Sequence, residues 1–293
     1  MHKYQPDRAI GSTWHPLLHG QRRELAIQED ETASVIYMLG EFFEHTGDED
    51  YVRNLYGTLI QPSANFMAGF IDEQTGLPHA SYDLWEEKFL THTYTAANTY
   101  QALLVAAEFA DRFEYPDDAV RWRSVAEKML EGSGVFFDPE RGAYRKGFLL
   151  QTDGSLQFDN TLDISSLYGV MMYAMHDGVE QLHQTMELIE NVLLDKSPSG
   201  GSPRYEHDTY FEVEPEYMGN PWFVTTLWLA QYYVRTKNRD KASHYVDWAV
   251  SKMLPSGVLS EQVHPTDSSP LSVTPLVWSH AELINTMLDI SKV

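Results

Sequence analysis

The sequence predicts an all-α protein built of paired antiparallel helices, and three observations predict it. Apolar residues recur at helical spacing through most of the 293 residues. Strands and helices do not alternate, which argues against a parallel α/β sheet. Connections fall into two sets: lean turns such as 45–48 and 236–239, and long loops at 72–92, 136–163, 195–220 and 254–274. Nearly every unusual motif lies in the long set, the arrangement expected of a toroid of helix pairs whose site opens at one mouth.

The elements follow in order. The first helix starts near Asp30-Glu31-Thr32 and carries Val35, Ile36, Leu39 and Phe42 to a stop at Gly47, with acidic residues in its first turn to suit the helix dipole. Asp48 opens a second, carrying Val52, Leu55, Leu59, Phe66 and Phe70, with a kink expected at Pro62. A third runs over about 93–112, where Ala96, Ala97, Ala102, Ala106 and Ala107 permit close packing, and a fourth over about 117–131 with Val120, Trp122, Val125 and Leu130. The stretch 136–158 reads as irregular or hairpin structure, because turn sequences such as Asp138-Pro139-Glu140-Arg141-Gly142 and Thr152-Asp153-Gly154 separate short aromatic segments. Helices resume at about 165–175, 179–194, 221–236, 240–253 and 275–290, nine in all. No composition break divides the chain, so residues 1–293 are expected to form a single domain.

Composition narrows the function. Hydrophobic residues make up 43% and aromatics 13%, enough for a large core. Forty-three acidic residues against 21 basic give a formal charge of −22, which repels phosphate backbones and anionic lipid and so argues against nucleic-acid and membrane partners. With no cysteine there is no disulfide or thiolate chemistry. No stretch of 18 apolar residues exists and Met1–Pro6 has no apolar leader core, so a soluble, cytoplasmic chain is expected.

The chemistry is concentrated in two loops. Ser81-Tyr82-Asp83-Leu84-Trp85-Glu86-Glu87 sets paired carboxylates beside a tryptophan, and Leu259-Ser260-Glu261-Gln262 supplies another carboxylate far downstream. Breaking a glycosidic bond needs one carboxyl to protonate the leaving oxygen, another to activate water, and aromatic surface to hold the ring. Burial and the neighbouring Glu87 charge are expected to raise the pKa of Glu86 toward that of an acid at neutral pH.

These residues resemble the catalytic loops of the glucoamylases and their relatives, glycoside hydrolase family 15. Tyr82–Glu87 is similar to the family's catalytic-acid loop, Arg204–Tyr210 with Gly219-Asn220-Pro221-Trp222 to its sugar-binding loop, and Leu259–Gln262 to its catalytic-base loop. Leu276-Val277-Trp278-Ser279 resembles its last aromatic site, and Gly11–Pro16 followed by Gln28–Ala33 its loop-to-helix lead-in. The likeness covers essentially the whole chain. It implies an (α/α)6 barrel that releases glucose from non-reducing ends with inversion, Glu86 as general acid, Glu261 as general base, and Glu87, Arg204 and Asp208 on the sugar, with Trp85, Trp222 and Trp278 forming or backing its platform. Inversion in turn predicts carboxyl groups about 6.5–9.5 Å apart. Trehalase-like and α-1,6-specific glucodextranase-like enzymes share these carboxylates, and a non-catalytic glucan-binding role is the alternative of another class. An (α/α)6 phosphorylase would replace the base with a basic phosphate site, against which Glu261 speaks.

The plainer readings stand beside these. Glu86-Glu87 alone would be a solvated turn pair, Glu261 a surface acid, and Arg204 with Asp208 a structural ion pair. Trp222, Trp278 and Tyr37, the last on the first helix, suit a core role as well as a sugar contact. His15, His79, His92, His207 and His264 lie in or near the site loops but carry no assigned role; none has metal-ligand spacing, and no metal or organic cofactor is expected. The implied barrel needs twelve helices and nine are counted, so the first three are expected in a preceding portion or a partner chain.

Overall fold

The computed structural model describes residues 27–176 and 178–292 and, ahead of them, the backbone of short strands at His2–Tyr4, Ile10–Thr13, Leu18–His19 and Arg22–Arg23, paired antiparallel as two ribbons. The Trp14-His15-Pro16 stretch of the lead-in lies outside the described residues. Each of the nine expected helical stretches is helical, as ten α-helices among the described residues. Contacts divide the chain into two units. The first is Met1–Phe136 with Gly147–Asp159 and Tyr173–His176; the second is Phe137–Lys146, Asn160–Met172 and Asp177–Val293.

In the first unit, α1 (Glu29–Thr46) ends at Gly47, whose φ of 64° is a left-handed cap donating its N–H to Phe43 O. Its first turn departs from expectation. Glu29 and Asp30 are buried rather than exposed to the dipole as charges, and burial pushes both carboxyl groups well above the usual carboxylate range. The second helix is interrupted: α2 (Glu49–Asn54), capped by Asp48 accepting from Tyr51 N at 3.0 Å, passes through a π-helical turn at Tyr56–Ile60 into α3 (Gln61–Gly69). Pro62, at the start of α3, has no N–H for the preceding turn, and the wider turn absorbs the irregularity. The next helix, α4 (Thr93–Arg112), packs against α1 and α5 (Pro116–Gly132), and its alanines are buried as the close packing requires. Just before α4, Thr91–His92 pairs antiparallel with Gly147–Leu150, which pairs with Leu156–Asp159. A Cβ at Gly147 would come within 2.4 Å of the Thr91 carbonyl, so only glycine permits this approach.

The second unit holds α6 (Ile164–Met172), α7 (Glu180–Val192), α8 (Phe223–Arg235), α9 (Arg239–Ser251) and α10 (Val277–Ile290). Helix α8 is buried from Phe223 to Val234 because α6, α9 and α10 all pack on it. Phe223, Leu227, Trp248, Leu259, Val263 and Leu283 form a core that ties the base loop to α8, α9 and α10. No helix among the described residues is long and apolar enough to cross a membrane.

Candidate active site

The acid loop belongs to the first unit. Ser81 and Leu90 exchange both backbone hydrogen bonds, at 2.9 and 3.1 Å, and so close a neck below residues 82–89. Inside it, Asp83 makes a turn: its Oδ1 accepts from Trp85 N at 3.1 Å and its carbonyl from Glu86 N at 2.9 Å. Glu86 leaves this turn with φ 59°, in the left-handed region, a conformation costing a non-glycine residue roughly 1–2 kcal/mol. Trp85 is buried (6% exposed), Glu86 is half-buried and Glu87 exposed, so three consecutive side chains have different surroundings. Lys88 leaves the loop to pair with Asp159 at 2.5 Å.

Tyr37, in the same unit, lies on a groove of about 840 Å³ lined mainly by α1 and α4, edge-on to Tyr173 at 5.1 Å between ring centres.

In the second unit the sugar-binding and base loops come together. Trp222 pairs by backbone with Ser202 on one side and Gln262 on the other, and the Asn220 amide donates to Gln262 Oε1 at 2.7 Å. The turn at 207–219 depends on Gly219: at φ 128° it passes so near Asp208 that a Cβ would lie 2.7 Å from that residue's own. Arg204 donates from Nε and Nη2 to the two carboxylate oxygens of Asp208 at 2.8 and 2.7 Å, a bidentate pair with both residues buried (2% and 0% exposed). Tyr205, Tyr210 and Trp222 surround the guanidinium, their ring centres 4.8–5.0 Å from its carbon. Trp222 is buried (3% exposed) with its ring against the Arg204 guanidinium.

Glu261 stands beside that pair. Its N–H donates to Val273 O at 2.9 Å, and its side chain accepts from Ser272 Oγ. The loop below it is tied to α10, with Leu259 N donating to His280 Nε2 at 3.0 Å and Ser279 Oγ to Ser260 O at 2.8 Å. Burial pushes the Glu261 carboxyl above its ordinary value; the Ser272 hydrogen bond and the Arg204 charge act against this, and Asp208 adds to it. Trp278, half-buried near the start of α10, sits 5.6 Å edge-on to Trp228 and donates from Nε1 to Glu282 at 3.2 Å.

Each unit therefore gathers its own share of the expected residues: Trp85, Glu86 and Glu87 in the first, Arg204, Asp208, Trp222 and Glu261 in the second. Tyr205 and Tyr210 were legible within the quoted motif but not singled out. The Asp83–His92 pair and the Ser272 contact carry no sequence signal, because they arise between residues that only the fold brings together. Among the described residues no three of His, Cys, Asp or Glu converge as metal ligands do.

Comparison with known proteins gives the family. Residues 18–288 match the profile of Glycosyl hydrolases family 15. The chain belongs to that family. An uncharacterized glycosyl hydrolase of Methanocaldococcus jannaschii is 29% identical over 94% of this chain and 44% of its own length. The "Probable glucoamylase" of Schizosaccharomyces pombe is 26% identical over 70% of the chain and 53% of its own. The structure of a bacterial glucoamylase complexed with acarbose superposes with a TM-score of 0.74 at 22% identity, over 93% of this chain and 42% of that one. This family 15 chain thus has the fold class of those enzymes, paired helices of the (α/α)6 type, and spans about half the length of the curated relatives it matches.

Proposed function

We propose that this family 15 chain carries the catalytic carboxylates and first glucose site of an inverting, exo-acting α-glucan hydrolase. The observation that carries the reading is the second unit's cluster. A half-buried carboxylate with a raised pKa stands beside a buried Arg204–Asp208 pair walled by aromatic rings, on a loop that α10 and α8 hold fixed. Such a group, once ionised, takes a proton from water, while neighbouring fixed charge and aromatic faces suit the hydroxyls and ring of a neutral sugar.

In this reading the Glu86 carboxyl gives its proton to the glycosidic oxygen as the bond to the anomeric carbon breaks. Water attacks that carbon from the opposite face, and Glu261 accepts the proton water loses, so glucose leaves as the β-anomer. Glu87, exposed beside Glu86, meets the sugar rather than the proton. Trp85 and Trp222, both buried, back the platform from beneath, and half-buried Trp278 offers ring surface. Tyr37 would reach a sugar only from the α1–α4 groove. The "glucoamylase" names among relatives support an α-glucan as substrate.

The test is glucose release by the purified chain from maltotetraose, isomaltose and trehalose in parallel. Release from maltotetraose that Glu86→Gln abolishes supports the reading, and release from isomaltose or trehalose alone redirects it to a glucodextranase-like or trehalase-like linkage. A folded chain that binds these sugars without cleaving any carries only the glucan-binding role.

A further inference from the structure

His92 stands outside the roles described so far, yet it is built into the acid loop at two points. Its Nε2 lies 2.9 Å from the Lys88 carbonyl, which can only accept, so Nε2 carries the hydrogen and donates it. Its Nδ1 lies 3.2 Å from Asp83 Oδ2, an ion pair when the ring is protonated, though not aligned as a straight hydrogen bond. Both side chains are 1% exposed, so neither contact is softened by water. One imidazole therefore grips the loop three residues before Glu86 and two residues after it.

His92 is itself immobilised. It is paired through the backbone with Gly147 and stands at the N-cap position of α4. On the other side, the Asp83 carboxylate that faces His92 is the group whose second oxygen holds Trp85 N, and whose carbonyl holds Glu86 N. The left-handed backbone of Glu86 is an unfavourable conformation that a free loop would leave, and these contacts are what oppose its relaxation.

We infer that His92 is a positioning residue: by bracing the Asp83 and Lys88 ends of the loop it fixes the direction of the Glu86 carboxyl. The inference rests on the reading of Glu86 as general acid. A purely structural histidine would change activity only through the fraction of folded chain. A positioning histidine changes turnover per folded molecule and leaves sugar binding intact.

The experiment compares the full chain with His92→Ala, His92→Asn and His92→Gln. It measures kcat and KM on maltotetraose, and hydrogen exchange at the Trp85 and Glu86 amides. Asparagine keeps a donor near the Nδ1 position and so retains the Asp83 contact, whereas glutamine reaches the Nε2 position and retains the Lys88 contact. For His92→Ala we expect kcat to fall by about 100-fold, the cost of a misplaced group, with KM within threefold. Exchange at Trp85 and Glu86 should quicken at least tenfold while α8 amides stay protected, and His92→Asn should recover more than His92→Gln. Unchanged exchange at those two amides, or a kcat loss matched by the loss of folded chain, overturns the inference. If His92→Ala does not fold, the asparagine and glutamine variants decide it by the same readouts. Should the parent release no glucose, the general-acid reading fails, while the exchange measurement still decides whether His92 braces the loop.

Discussion

The two carboxylate loops are held by opposite means. Around Glu86 the backbone is the instrument: a neck closed at Ser81 and Leu90, an Asp83 turn, a left-handed residue, and an imidazole touching the loop at both ends. At Glu261 the residue's own backbone pairs with Val273, the left-handed backbone falls at Ser272 instead, and charge is the instrument: a hydroxyl donor on the carboxylate, a guanidinium nearby, and an aspartate opposing both. A general acid must deliver a proton along a narrow line, so its direction matters most. A general base must be ionised at working pH, so its electrostatic surroundings matter most. The difference suits the two tasks proposed for Glu86 and Glu261.

Several substitutions separate the two cases. The largest effect is expected at the carboxylates. Glu86→Gln and Glu261→Gln should each lower kcat on maltotetraose by about 10²–10⁴-fold, the usual worth of a general acid or base. On α-glucosyl fluoride, whose leaving group needs no proton, Glu86→Gln should keep most of its rate and Glu261→Gln should not; equal losses on the fluoride would mean the roles are misassigned. Next comes Arg204→Met, which leaves Asp208 buried without its cation. Removing one partner of such a pair costs about 3–5 kcal/mol, to be read from urea unfolding. It also removes a charge that holds the Glu261 pKa down, so the acid limb of kcat/KM should move to higher pH in whatever chain remains folded.

Ser272→Ala probes the base loop alone. The Ser272 hydroxyl stabilises ionised Glu261, so its loss raises that pKa further. Because the base must be ionised, the acid limb of the kcat/KM profile should shift upward by about half to one pH unit, with the alkaline limb unmoved. A shift in the opposite direction would remove Glu261 from the base role.

The smallest effect is expected at Glu29, a buried carboxyl in the first turn of α1. Its folded pKa lies above the ordinary 4.5, so the folded state favours the neutral form. That stability is complete below the unfolded value and is lost as pH rises through the folded one. Glu29→Gln removes the loss. Its melting temperature should equal the parent's near pH 4 and exceed it by about 2–4 °C near pH 8, by calorimetry.

The sequence showed the helices because apolar spacing records which face each one buries, and α5, with Ala119, Trp122, Ala126 and Met129 buried, and α7, with Leu182, Met186 and Ile189 buried, are the clearest cases. It did not show the π-helical turn at Tyr56–Ile60 ahead of Pro62, nor that Glu29 and Asp30, in the first turn of α1, would be buried. In the site, Arg204 and Asp208 were legible through the resemblance of 204–210 to a sugar-binding loop and as a candidate ion pair, and the pair they form lies in a turn and not on a helix. His92 was visible only as one of several histidines near the loops, since nothing in the run from Asp83 to Lys88 says that its ends will be joined through one ring.

The central claim is the proposal that Glu86 acts as acid and Glu261 as base, with inversion at the anomeric carbon. The most direct test is the anomeric form of glucose at early times, by proton NMR on maltotetraose before mutarotation. The account predicts β-glucose, whose signal later decays toward the equilibrium mixture. α-Glucose as the first product would mean retention, a covalent intermediate and a closer pair of carboxylates, and would contradict it.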